Sequence, residues 1–512
     1  MRLPPILFLS CSVAGALSVF FCGCETVGFD YQTPTTKVPD RWTMSIEPHL
    51  DNSGACLTEW WKGFQDPVLN ELIDRARANS PDIEIAIQRI VEARAQRGVA
   101  VSLMFPALES DAGYARTKQS GQIGFPGPVA PIDLYTTGLS AGWEIDVFGG
   151  LRRRVEAETA TLEATVENYR DVLVTLFADV ALNYVDYCTL DEQLFVANEN
   201  IKIQRNSLKL AQSRLDAGLV SKIDVTQAKT SLETTRARIP QLEGQRAAAK
   251  NRIASLTGGF PSSVTGLLSR AGSIPQPQRD YAVECPADLL RSRPDIRRAE
   301  RDLAAAVARI GVTEADLYPK FALAGNLQLQ SNNISNLPDA AAAAYSFGPS
   351  VRWNLFSSGQ IKNSIRAEEA RTMQVYGSYE KTVLLAVEEV ETSMARIAAE
   401  RQRLSILRSA VASASESVDL VGENYKEGLV DFQRVIDTER VKFENDEAAV
   451  VSKGLVANNY IALYRALGGG VELEEVTLPA IEKKPGGGWI NKRPAPYAAS
   501  RPVDAADSDL KN

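Results

Sequence analysis

The chain has 512 residues, 23% charged, 45% apolar and only 7% aromatic, enough to bury a core and, by length alone, to fill roughly three or four compact domains. A net charge of −8 argues against a nucleic-acid partner, which needs a basic face to displace counterions. One histidine, His49, excludes a multi-histidine metal site or a His-based triad, and no apolar run reaches the ~20 residues of a spanning helix.

Residues 1–23 read as a signal peptide: Arg2, then an apolar stretch from Ile6 to Phe21 that is too short to span a bilayer. The segment ends Phe21-Cys22-Gly23-Cys24, which resembles a bacterial lipobox. Cys24 is the expected lipidation site, anchored in outer-membrane lipid; Glu25, in place of Asp, favours sorting to the outer membrane. Plain cleavage that leaves Cys24 unmodified fits the same residues. Cys11 and Cys22 fall in the leader. Cys56, Cys188 and Cys285 lie far apart, with no zinc or CxxC spacing. They read as small buried or surface thiols, a disulfide being the other reading. Residues 24–58 read as a lipid-anchored linker.

A first module is expected over 59–258. A helix over about 82–104 stops at Pro106. A weak strand follows at 107–116, with Leu108, Ala112 and Tyr114 on one face. After a Gly- and Pro-rich loop, 133–148 alternates cleanly: Tyr135, Leu139, Ala141, Trp143, Ile145 and Val147 oppose Thr136, Gly138, Ser140, Gly142, Glu144 and Asp146. From Leu151 to Asp216 there is neither Pro nor Gly, a helix of about 100 Å. Every seventh residue from Val166 through Val180, Leu194 and Ile201 to Leu215 is apolar, the repeat of coiled-coil packing. Gly218 closes this helix, and Ser221 is placed to cap the next.

After a linker over 259–285, the same plan recurs over 286–470. Asn79-Ser80-Pro81-Asp82-Ile83 returns as Ser292-Arg293-Pro294-Asp295-Ile296, and Gly98-Val99 as Gly311-Val312. Trp143 returns as Trp353, Gly218-Leu219-Val220 as Gly428-Leu429-Val430, and Gly258-Gly259 as Gly468-Gly469. Common order and nearly constant offset make this a tandem duplication. Strands are expected at 321–330 and 345–356, and the heptad returns from Tyr376 through Val390 to Tyr425. The Pro-, Gly- and Lys-rich remainder, 471–512, reads as a flexible tail, disordered from 477.

Strands of about ten residues with one apolar face fit a transmembrane barrel, although a half-buried soluble sheet alternates in the same way. Four strands cannot close a barrel, for which ~8 is the smallest workable number, so a barrel reading requires a homo-oligomer. No phosphate loop, nucleophile elbow or metalloprotease motif is present, and nothing calls for a cofactor or a metal. Enzyme activity is not expected.

Taken together and in order, several segments resemble one family. They are Gly28-Phe29-Asp30-Tyr31 with Pro34, Glu59-Trp60-Trp61 with Phe64, Asp66 and Pro67, and the two Pro-Asp-Ile segments. Trp143 to Gly149, Gly218-Leu219-Val220 and Leu463 to Gly470 complete the set. The chain resembles the outer-membrane efflux lipoproteins of RND-type tripartite pumps, the OprM/NodT-like group of the TolC superfamily. The resemblance implies an α+β membrane protein: a homotrimeric outer-membrane β-barrel, four strands per chain, continued by a long periplasmic α-helical barrel. It implies a periplasmic adaptor (membrane fusion) protein and an inner-membrane RND pump as partners. It places a channel gate at Asp437 and Arg440, with Gln433 one turn before; the same spacing also suits an ordinary surface ion pair. The first-module counterparts are Gln227 and Thr230, so the charged ring comes from the second module. The tips Gly218-Leu219-Val220 and Gly428-Leu429-Val430 become the adaptor contacts. The implied function is passive conduction of drugs or other small toxic compounds out of the cell. A type I protein-secretion duct, or a periplasmic lipoprotein that braces the envelope, fits the same fold.

Overall fold

A computed structural model of the chain describes residues 26–35, 39, 42–43, 58–118, 120, 130–277, 293–471, 481–483 and 489–491. Cys24, the leader, Cys56 and Cys285 lie outside the described residues. In chain order come α1 (Pro67–Asn79), α2 (Pro81–Ser102), β1 (Ala107–Thr117), β2 (Ile132–Ile145), α3 (Gly150–Asp216), α4 (Lys222–Leu256) and α5 (Thr265–Leu268). Then follow α6 (Pro294–Glu314), β3 (Lys320–Ser331), β4 (Ala343–Arg352), α7 (Gln360–Glu427), α8 (Phe432–Ala466), β5 (Ile481–Lys483) and β6 (Trp489–Asn491). The duplication is visible in the elements: α3 and α7 have 67 and 68 residues, and α4 and α8 have 35 each.

The chain forms two compact units, not the three or four its length suggested, and neither is one copy of the repeat. Of the described residues, the first takes those within 1–36, 89–165 and 297–381, and the second those within 37–88, 166–296 and 382–512. The physical reason is that α2, α3, α6 and α7 each run through both units without a break.

In the first unit the four strands form one antiparallel meander, β1-β2-β3-β4. The register carries the expected alternation across the sheet. Leu139 lies opposite Leu327 and Leu327 opposite Tyr345; Gly138 lies opposite Gln328 and Gln328 opposite Ala344. Two strands end earlier than their alternation suggested. β2 stops at Ile145 because Asp146 accepts from the Leu151 and Arg152 amides (3.1 and 2.9 Å) and so starts α3. β4 stops at Arg352 because the chain turns into α7, with Ser358 and Gly359 at φ 50° and 83°. Trp353 Nε1 then donates to the Leu317 carbonyl at 3.0 Å, as its counterpart Trp143 does to Met104 at 2.9 Å.

Residues 26–35 form a strap over α3 and α6. Val27 N–H donates to Phe148 (3.0 Å). The buried Arg153 guanidinium donates to the carbonyls of Val27 and Gly28 (2.9 and 3.0 Å) and to Asp30 (2.8 Å). Gly28 crosses Gly311 so closely that a Cβ on it would lie 2.7 Å from the Gly311 Cα. Tyr31 packs on Ala160, Ala304 and Ala305, with Arg301 over its ring at 5.6 Å.

In the second unit, the apolar core joins Trp60, Trp61, Phe64, Phe177 and Tyr464 to the inner faces of α1, α3, α4 and α8. Asp66 explains its own motif. It caps α1 by accepting from the Val68 and Leu69 amides (2.8 and 3.0 Å), and its other oxygen accepts from the Tyr184 hydroxyl at 2.8 Å. Every member of both heptad rows, from Val166 to Leu215 and from Tyr376 to Tyr425, is buried or half-buried. One 18-residue window of α3, of mean hydropathy 1.3, is apolar enough to cross a membrane by length and composition, contrary to expectation; 56% of it is buried inside the molecule. It is apolar on several sides because α3 packs on several neighbours, through Phe177, Val180, Tyr184 and Val185 among others. Cys188, a free thiol, is buried there, and burial pushes it up to about 12. The tail departs from its expected disorder at one place. Residues 481–483 pair antiparallel with 489–491, and Gly486 to Gly488 lie between them.

Candidate functional site

The two helix tips are built alike. Gly218 and Gly428 sit at φ 74° and 80°. The N–H of Gly218 donates to Leu215 and that of Leu219 to Arg214; Gly428 donates to Tyr425 and Leu429 to Asn424. Both are paired backbone closures that only a residue at ease with positive φ makes without strain. Ser221 then accepts from the Ile223 amide (3.1 Å), as expected, and its counterpart Asp431 from the Arg434 amide (3.0 Å), which starts the return helices. Under the tips lies a small core of Ala211, Ala228, Tyr425, Phe432 and Val435, with Val430 against it. Arg214 stacks over the Tyr425 ring at 4.6 Å and donates to the Tyr425 carbonyl. Leu219 and Leu429, at equivalent positions, point away from that core and are 66% and 69% exposed.

The expected gate residues share one exposed face of α8. Gln433 donates to Asp437 (3.3 Å), Arg440 lies 3.7 Å from Asp437, and Arg440 donates to Glu444 (3.4 Å). Asp437 and Arg440 are about half exposed. Within one chain this is a ladder of i,i+3 and i,i+4 contacts. Glu444 extends the ladder, at a spacing that was readable as i+4 from Arg440. Glu439, between the gate residues in sequence, was missed. It is 4% exposed, and Ser207 of α3 donates to it. The signal for it lay in the spacing Phe432, Val435, Glu439, Phe443, an apolar row with one carboxylate in it.

The sheet of the first unit presents its apolar face outward. Leu108, Tyr114, Leu139, Leu327, Tyr345 and Phe347 are all exposed, the last two at 75% and 82%. Neither β1 nor β4 has a partner on its outer edge among the described residues.

Comparison with known proteins agrees with this architecture. The model of a family described as outer membrane efflux protein matches residues 72–259 and 285–469. Nodulation protein T of Rhizobium leguminosarum bv. trifolii is 27% identical over 428 residues, 83% of this chain and 89% of that protein. The pyoverdine export outer membrane protein OpmQ of Pseudomonas aeruginosa is 28% identical, covering 91% and 96%. The solved outer-membrane channel OprN is 32% identical with a TM-score of 0.80, over 87% of this chain and 99% of that one. The model match spans both copies of the duplication, on a fold shared with a solved outer-membrane channel: the chain belongs to the outer membrane efflux protein family and is an outer-membrane channel component of an efflux system.

Proposed function

We propose that three copies of this chain close one twelve-stranded barrel in the outer membrane, each giving β1 to β4, and that their long helices continue it as a periplasmic tunnel. The carrying observation is the sheet: four strands whose two edges have no partner among the described residues, and an exposed apolar face of a kind water-facing proteins rarely leave uncovered. The spacing of its aromatics supports the reading. Trp143 lies near the end of β2 and Trp353 just past the end of β4, while Tyr135 and Tyr345 lie near the starts of those strands, with Tyr114 of β1 opposite Tyr135. Trp143 and Tyr135 are eight residues apart on β2; at ~3.4 Å per residue and a strand tilt near 40° that is a band of ~20 Å, close to that of outer-membrane barrels.

In this reading Cys24 carries lipid. Gln433, Asp437 and Arg440 line the inner constriction, and Asp437 of one chain meets Arg440 of the next. Gly218, Leu219, Val220, Gly428, Leu429 and Val430 meet a periplasmic adaptor, which links the duct to an inner-membrane pump of the RND type. The exposed Leu219 and Leu429 support the tip assignment, since exposed leucines at two equivalent turns are apolar contacts still to be covered. The cargo is a small compound. The relative named for pyoverdine export supports efflux over protein secretion.

The test is retention of a fluorescent dye in a strain lacking the gene. Complementation with the natural chain is expected to lower retention. A chain with Leu219→Ser and Leu429→Ser is expected to reach the membrane in equal amount and leave retention high. Equal clearance by both chains would remove the tips from the adaptor contact, and unchanged retention with the natural chain would turn the reading toward secretion.

A further inference from the structure

The packing behind the gate ladder is interrupted by a polar layer. Along α8, Phe432 and Val435 belong to the tip core, and Phe443 belongs to a second apolar cluster with Leu194, Ala197 and Leu242. Between these clusters α8 buries Glu439, α3 buries Gln204 and carries Ser207, and α4 buries Thr235 beside Ser231. The contacts there are few. Ser207 donates to Glu439, and Gln204 Nε2 donates to Ser231 at 3.1 Å. The Gln204 Oε1 and Asn200 Nδ2 atoms are buried with no hydrogen-bond partner among the described residues. A helix seam that gives up apolar contact for a lone carboxylate and underfilled amides is weak at that level, and such weak levels are where packed helices change position.

We propose that Glu439 is a proton-sensitive seat for the gate-bearing stretch of α8. Neutral, it sits out of water against α3 and accepts from Ser207; ionised, the cost of keeping its charge out of water, only partly offset by the Ser207 hydroxyl, favours release of the stretch from α3. This rests on the gate reading of Asp437 and Arg440 only for its consequence in conduction. Burial, opposed only by the Ser207 hydroxyl, pushes the Glu439 carboxyl up. The charges on the surrounding helices are paired with others or face water. On α3, Lys202 pairs with Glu199; on α4, Arg236 pairs with Glu233, and Arg238 with Glu447 of α8; on α8 itself, Lys442 pairs with Asp446. Arg205 and Lys209 of α3, Lys229 of α4, and Glu416, Asp419 and Glu423 of α7 are exposed. The seated state therefore binds the proton more tightly than a state in which Glu439 meets water. Seating is fully favoured below the ordinary carboxyl range and is lost as pH rises through the raised value. In the first module the counterpart of Glu439 is Lys229, exposed on α4, so seat and gate charges lie together on the second module.

The experiment is hydrogen exchange of the full-length protein in detergent, read as protection factors over residues 430–445 between pH 4.5 and 8, beside single-channel recording over the same range. In the natural chain, protection is expected to fall about tenfold or more across this range while open probability rises. Glu439→Gln should keep high protection at every pH, and Ser207→Ala, which removes the bond across to α3, should lower protection at every pH and keep the fall. Flat protection in the natural chain, or the same fall in Glu439→Gln, overturns the seat. Asp437→Ala tests the gate separately. It should raise conductance at every pH and leave the protection profile unchanged. If conductance does not respond to Asp437→Ala, the gate reading fails while the exchange result still decides the seat.

Discussion

Arg153 shows how one residue organises a segment far from it in sequence. Its side chain is 4% exposed, and its donors go to two strap carbonyls, Asp30 and Glu156. Lysine cannot reproduce this, because a single ammonium lacks the planar fork that reaches separate acceptors at once. Arg153→Leu is expected to leave the Val27 and Gly28 carbonyls unpaired at a cost of about 2–4 kcal/mol, concentrated on the strap. Chymotrypsin should then cut after Phe29 or Tyr31 at least tenfold faster with helical content unchanged, and Arg153→Lys should behave nearly the same. An unchanged cleavage rate would show that the strap is held without Arg153, by Tyr31, the Gly28 crossing and the Val27 bond to Phe148. In the sequence, Gly28-Phe29-Asp30-Tyr31 was visible only as a family mark. Its partner lies 123 residues beyond Asp30, and no local pattern points to it.

At the scale of elements, the long helices were the most legible part of the chain. Their heptads, closing glycines and capping residues are all local signals, and each is where it was expected. What the heptad does not report is how closely two helices approach. Gly454 of α8 faces Thr189 of α3, and a Cβ on it would lie 2.3 Å from the Thr189 hydroxyl. Gly454→Ala is therefore expected to push the helices apart and cost about 1–3 kcal/mol, the usual range for overpacking. Thr189→Ala in the same chain should restore most of the loss, because the hydroxyl and methyl that clash are then gone. Thermal unfolding of the two single variants and the double variant measures the coupling, and additive losses would place the strain elsewhere. Thr189 itself donates to the Val185 carbonyl at 2.8 Å, a bond available to any helical threonine, so its sequence context gave no hint of Gly454.

At the scale of the whole molecule, the proposed closure makes a chemical prediction at the sheet edges. β1 and β4 of neighbouring copies would pair, so one cysteine on each edge should link the ring covalently. With Cys56 and Cys285 replaced by Ser, Ala112→Cys combined with each single cysteine from 344 to 351 should give a denaturant-resistant trimer. Linking should be strong at alternate positions, since residues two apart share a face. A monomer band at every position would exclude this edge pairing.

Alternation, heptads, turn glycines and the duplication are written in neighbouring residues, so strands, helices, tips and family could all be read directly from the chain. Each signal repeats within a few residues or at one constant offset, and backbone geometry turns it into structure whatever lies nearby. Contacts between distant residues carry no such period. The strap on Arg153, the approach of Gly454 to Thr189, the union of both copies in each compact unit and the burial of Glu439 depend on which helices meet, and at what depth. Glu439 makes the difference plain. In sequence its place in the row Phe432, Val435, Glu439, Phe443 hints at an inward face, but the packing of α3 and α4 against that stretch is what removes it from water.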